Sequence, residues 1–261
     1  MSLIRFVCLL LLFLETGFAS EPKALDLLVI GDSQTGASWS NSYFGNFFQA
    51  CLKSPSETPQ DFVIYGRAGT EPNDWLGNPA GLDSTETIQR DSDHNQLNIG
   101  SGEDVPLYKK RLPEMLETHH PKRVVVFLGD NMLTESTAEI STQFTSFLKV
   151  LFAHEIQAKD CFFITPTFQM EVATKRNVPS KNFVNTLKVI QAIKQAIQDK
   201  CTVLDGTEIM KKTSYYLDND TLKRVLIPGL AGCSGASAND NVHICGEAAR
   251  ELANQVCATL R

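Results

Sequence analysis

No run of Lys and Arg long enough to follow a phosphate backbone occurs in this chain. Its 24 basic residues are outnumbered by 30 acidic ones, for a net charge of −6. Nucleic acid is therefore excluded as a partner. No uninterrupted apolar stretch reaches the roughly 20 residues that a membrane-spanning helix needs, so stable membrane insertion is not expected. The C-x2-C spacing of structural zinc sites is missing as well, and neither a metal nor a cofactor is expected. Internal repeats and low-complexity tracts are absent. What remains, with 43% hydrophobic and 21% charged residues, is the balance of an ordinary globular domain.

The first residues have their own logic. Arg5, the apolar run 6–14 and the small residues Gly17 and Ala19 form a secretory signal cut after Ala19. Residues 1–19 are thus read as a leader and 23–261 as one mature domain, secreted or periplasmic. A membrane anchor is the alternative, but the run is too short for it. Of the seven cysteines, Cys8 lies inside this leader, which leaves six. An even count in an exported protein argues for disulfides rather than buried thiols, although six cysteines allow 15 pairings.

After the leader, short apolar runs alternate with amphipathic segments. Residues 25–31, 61–66, 123–129, 161–166 and 201–206 are brief and rich in β-branched or aromatic side chains. They read as strands buried on both faces. Helices are predicted over 107–117, 141–156, 182–198 and 246–260. In 182–198, Phe183, Leu187, Ile190, Ile193 and Ile197 share a stripe opposite Lys188, Gln191, Lys194 and Gln198. Such alternation implies a single α/β domain with a five-stranded, mainly parallel sheet and helices on both faces. That layout suggests three cysteine pairs. Cys161 and Cys201 open neighbouring strands, Cys51 and Cys257 lie on the first and last helices, and Cys233 and Cys245 flank a loop near the C-terminus.

Residues 71–105 break the rhythm, being rich in Gly, Asn, Asp and Ser. They are expected to form an irregular insertion at the carboxyl edge of the sheet, where open α/β folds bind ligands. "DSDHN" (91–95) begins like a calcium loop. Gln96 stands where the loop needs Gly and Gly102 where it needs Glu, so a structural role is preferred.

Chemistry centres on "VIGDSQTG" (29–36), where a strand ends and Asp32-Ser33 follows at once. Ser33 is either a helix cap or a nucleophile. A nucleophilic serine needs a base, and "NDNVHICG" (239–246) offers His243, with Asp240 three residues before it. The bland alternative makes Asp240 a helix cap and His243 a surface residue. Acyl transfer also needs donors for the developing oxyanion. The Ser33 N–H, a glycine N–H in "YGRAGT" (65–70) and the Asn131 side chain in "LGDN" (128–131) all follow strands that emerge at one edge.

In this order, Gly31-Asp32-Ser33, Gly69, Gly129-x-Asn131 and Asp240-x-x-His243 resemble the blocks of the SGNH (GDSL-type) hydrolases, over nearly the whole mature chain. The resemblance implies a flavodoxin-like three-layer α/β/α sandwich and metal-free ester hydrolysis through an acyl-enzyme. It implies Ser33 as nucleophile, His243 as base, Asp240 as its orienting acid, and Ser33, Gly69 and Asn131 as the oxyanion hole. Met132 stands where the third block usually has Asp. Gly66 competes with Gly69 for the second donor, and Gly69 is preferred because Gly66 ends the strand too early.

A faint likeness of "DSQTGAS" (32–38) to the phosphate loop of flavodoxins would leave Asp32 repelling a phosphate. The expected substrate is a small ester or an acylated glycan, most plausibly O-acetylated. Gln34, Met132 and Trp75 are candidates for contacting it, Trp75 as a sugar-stacking platform or as packing. A lipase or thioesterase, an O-acyltransferase and a non-catalytic carbohydrate-binding protein are the other readings.

Overall fold

The computed structural model describes residues 24–36, 43–53, 60–77, 87–93, 95–99, 111–167, 181–210, 244 and 246–260. All five expected strands are present, as β1 (Leu27–Gly31), β2 (Phe62–Arg67), β5 (Val124–Phe127), β6 (Cys161–Ile164) and β7 (Thr202–Leu204). They pair in parallel in the order β2-β1-β5-β6-β7. That order is the flavodoxin-like one, and it places a topological switch between the two flanks of β1.

The sheet is larger than the sequence suggested. Residues 71–105 are not simply irregular: they contain the short helix α3 (Pro72–Leu76) and the strands β3 (Thr87–Asp91) and β4 (Gln96–Ile99). Both strands are antiparallel and extend the sheet beyond β2 to seven strands. "TIQRD" and "QLNI" carry too few apolar residues to register as buried runs. A hairpin at a sheet edge does not need them. Its turn falls on "DSDHN". There the Asp91 carboxylate accepts from the Asp93 and Asn95 backbone N–H groups at 2.9 Å each, so it shapes a turn.

Strand residues alternate between faces, and the alternation divides the core in two. Leu28, Ile30, Val63, Tyr65, Val124 and Val126 point to one side. They meet α3, α4 (Leu112–His119), α5 (Thr137–Ala153) and α6 (Lys181–Ile197). Leu27, Val29, Ile64, Val125 and Phe127 point to the other side, against Phe44 and Phe48 of α2 (Phe44–Lys53), Ile209 of α7 (Gly206–Met210) and Leu252 and Val256 of α8 (Gly246–Leu260). The result is a three-layer α/β/α sandwich. Helix α5 starts earlier than its apolar spacing indicates. Ser136 Oγ accepts from Glu139 N at 3.2 Å, and Glu139 Oε2 accepts from Ser136 N at 2.8 Å, a capping box spelled S-x-x-E in the sequence.

Two of the three expected disulfides are present. Cys161–Cys201 joins the starts of β6 and β7 with Cα atoms 4.9 Å apart. Cys51–Cys257 ties α2 to α8 across 6.4 Å. The Cys233–Cys245 pair lies outside the described residues, as does the N-terminal leader. Among the described residues, no helix is long and apolar enough to cross a membrane.

Candidate active site

Strand β1 is buried throughout and ends on a turn built by Asp32. The Asp32 N–H donates to Phe127 O at 3.2 Å, the last link between β1 and the β5 edge. Its Oδ1 then accepts from Gln34 N at 3.0 Å, while Thr35 N and Gly36 N donate to Asp32 O at 3.1 and 3.0 Å. A carboxylate that satisfies early N–H groups is an N-cap, and here it starts α1 (Ser33–Gly36) in the residue after itself. So Asp32 is the cap, and Ser33 is left free for another role. Ser33 is 6% exposed. A Cβ on Gly36 or on Gly66 would fall into the other residue's backbone, so α1 lies directly against the end of β2. Burial raises the Asp32 carboxyl to about 7, against the pull of N–H groups from Gln34, Asp130 and its own backbone.

Register aligns the other loops. Gly31 pairs with Gly66 on one side and with Phe127 on the other, so the segments after β1, β2 and β5 leave the sheet at the same edge. Gly69 occupies the turn after β2 with φ of +70°, a left-handed conformation in which a side chain would be strained. A Cβ there would meet open space, whereas Gly66 is packed against α1. Gly69 therefore borders open space and Gly66 does not. After β5, Asn131 Nδ2 donates to Thr70 O at 3.1 Å, which joins the second and third blocks directly.

Thr70 is the centre of a buried cluster. Its hydroxyl donates to Arg67 O at 2.7 Å and accepts from Trp75 Nε1 at 3.1 Å. The Arg67 guanidinium lies over the Trp75 ring, 4.2 Å from its centroid. Burial pushes the Arg67 pKa down to about 10, with Asp74 opposing the shift. On the far side of α1, Arg90 of β3 donates to Thr35 O at 2.9 Å and to Asn46 Oδ1 at 3.1 Å. A cation thus sits at the C-terminal end of the helix whose first residue is Ser33. Sequence reasoning missed Arg67, Thr70 and Arg90. An arginine inside an apolar strand pattern was the available signal, since such a charge needs a buried partner.

Asp240 and His243 lie outside the described residues. Their neighbour Ile244 does not, and its N–H donates to Gln34 Oε1 at 3.0 Å in a buried bond. The chain just beyond His243 is therefore attached to the residue just beyond Ser33. Gln34, Trp75 and Met132, read as candidates for substrate contact, are all fully buried. Gln34 holds Ile244, Met132 belongs to the core beneath β5, and Trp75 is enclosed by Arg67 and Thr70. Trp75 is thus packing rather than a platform for sugar, and none of the three offers a substrate an open face. Among the described residues, no cluster of His, Cys, Asp and Glu is arranged to hold a metal ion.

No family model matches the sequence, and neither does any curated protein. Solved structures do. A carbohydrate acetylesterase family member from Sinorhizobium meliloti superposes with a TM-score of 0.53 at 12% identity, over 91% of this chain and 98% of that one. A peptidoglycan O-acetylesterase gives 0.52 at 13% identity, over 91% of each chain. A protein from Slackia heliotrinireducens described as an SGNH hydrolase gives 0.54 at 15% identity, over 92% of this chain and 100% of that one. The chain has the fold of the SGNH hydrolases.

Proposed function

We propose that this chain is an exported serine esterase that removes short acyl groups, O-acetyl above all, from a carbohydrate. The observation that carries this reading is the set of hydrogen bonds among the sequence blocks. Asp32 joins the first block to the third through Asp130 N–H, Thr70 joins the second to the third, and Gln34 joins the first to the segment after His243. The covalent chain keeps the His243 Cα about 3.8 Å from that of Ile244, which favours an imidazole within reach of Ser33.

In this mechanism Ser33 Oγ attacks the acyl carbon while His243 takes its proton, and Asp240 holds the imidazole. The carbonyl oxygen, now negative, receives hydrogen bonds from the Ser33 and Gly69 N–H groups and from Asn131 Nδ2. The imidazolium then protonates the departing sugar oxygen. Water, activated by the same imidazole, attacks the acyl-enzyme and releases the acid and Ser33. Two of the similar structures bear names that fit an acetylated glycan, and disulfides at Cys51–Cys257 and Cys161–Cys201 fit export. The test is hydrolysis of a chromogenic acetyl ester, followed by acetate release from a panel of acetylated polysaccharides including peptidoglycan. Ser33→Ala should abolish both. Turnover that persists in that variant overturns the assignment.

A further inference from the structure

We infer that Trp75 and Thr70 are positioning residues that set the direction of the Asn131 amide, so that one of its two hydrogens is aimed at the oxyanion. The inference rests on the esterase reading above and adds residues that no sequence block contains. An Asn side chain can rotate, and its Nδ2 carries two hydrogens about 120° apart in one plane. When one is held by Thr70 O at 3.1 Å, the plane is fixed and the direction of the other follows.

Thr70 O is a reliable acceptor only if its peptide group is immobile. That immobility is built from side chains. The Thr70 hydroxyl closes the turn after β2 by donating to Arg67 O at 2.7 Å, and Trp75 Nε1 donates to the same hydroxyl at 3.1 Å. This uses the hydroxyl's single hydrogen and one of its lone pairs, which leaves it one orientation. Trp75 is held in turn by the Arg67 guanidinium over its ring and by its own helix α3. Helix α3 is anchored to α5, because Gln143 Oε1 accepts from Asn73 N at 3.1 Å and Gln143 Nε2 donates to Glu71 at 2.8 Å. The chain of contacts therefore runs from a rigid helix to the amide. A donor aimed before the charge appears is the economical way to stabilise an oxyanion, and small displacements in such geometry cost rate rather than binding.

Trp75→Phe keeps an aromatic ring beside Arg67 and removes the Nε1–H together with part of the indole's bulk, so Thr70→Val, which removes the acceptor of the same bond, is its control. Thr70→Val keeps the shape and removes the hydroxyl, while Thr70→Ser restores it. On an acetyl ester, Trp75→Phe should lower kcat about 10-fold and Thr70→Val somewhat more, with KM nearly unchanged and Thr70→Ser close to the parent. Asn131→Ala alone should cost about 10²–10³-fold. Adding Trp75→Phe to it should cost nothing further, since the aimed group is gone. Equal effects of Trp75→Phe with and without Asn131 would overturn the inference, as would an unchanged kcat in both Trp75→Phe and Thr70→Val. Loss of the esterase reading shows differently, as a parent protein whose turnover survives Ser33→Ala or that has none. The Asn131 side-chain amide resonances in 15N-labelled protein then carry the test. They should shift in Trp75→Phe and in Thr70→Val and keep parental values in Thr70→Ser, and resonances unmoved in both Trp75→Phe and Thr70→Val would refute it.

Discussion

The two sides of Ser33 are held in different ways. On the oxyanion side, Arg67, Thr70 and Trp75 lie within one turn and one short helix, Asn131 joins them from the loop after β5, and side-chain contacts connect the four. On the base side, Ile244 N bonds to Gln34, and α8 is held against α2 by Cys51–Cys257, by core packing of Leu252 and Val256, and by Arg250 over the Phe47 ring. The first arrangement is built around one turn. The second joins residues 210 positions apart in the sequence. An oxyanion donor must not move as charge develops, and the side chains that aim it are packed beside it. The contact at Gln34 depends instead on closure between distant parts of the chain.

Breaking the long-range link should have the largest effect. Cys51–Cys257 closes a loop of 206 residues in sequence, for which chain entropy alone gives about 5 kcal/mol. Replacing both cysteines with Ser should lower the urea midpoint somewhat more than the corresponding change at Cys161–Cys201, whose loop of 40 gives about 4 kcal/mol before any native-state difference. The rate loss per folded molecule should exceed that of the Cys161–Cys201 variant as well, because α8 begins two residues after Ile244. Equal kcat in the two variants would mean that α8 does not need its covalent tie to seat the base arm.

Asp32 belongs to both sides, accepting from Gln34 N and from Asp130 N–H. Its folded pKa of about 7 lies above the ordinary 3.8, so the native state binds the extra proton between those values. Stability contributed by the protonated form is full below about pH 4 and declines as pH rises toward 7, by up to roughly 4 kcal/mol. Asp32→Asn cannot titrate. Its unfolding free energy in urea should therefore be flatter than the parent's between pH 4 and 7. Parallel curves would show that the Asp32 carboxyl stays ionised across the range.

Much of this was legible in the letters, and the limits have physical causes. The five parallel strands were visible because burial on both faces forces continuous apolar runs. Two disulfides followed from which elements must be neighbours in such a sheet. That Ser33, Gly69 and Asn131 follow strands leaving one edge was legible because each comes soon after a buried apolar run. The β3–β4 hairpin was hidden because an edge strand such as "TIQRD" can be half polar, its buried Arg90 bonding to Thr35 O and Asn46. Trp75 was ambiguous for a related reason. An indole beside a polar loop suits a sugar or an arginine equally, and only the fold brings Arg67 over it.

The finest test separates the two sides. Gln34→Leu preserves bulk but removes the acceptor for Ile244 N, stranding a buried N–H at a cost of about 1–3 kcal/mol. Part of that cost should appear as a loss in kcat of about 10-fold, through a less well seated base arm. The Gln34 side chain and the Trp75 indole share no partner among the bonds traced above, so their effects should add within about 0.3–0.5 kcal/mol when Gln34→Leu is combined with Trp75→Phe. Trp75→Phe with Asn131→Ala should not add, because both act on one donor. Additivity across the site and non-additivity within one side are opposite outcomes of the same assay. A strong coupling between Gln34 and Trp75 would instead mean that α1 transmits motion between the two sides, and that they form one mechanical unit.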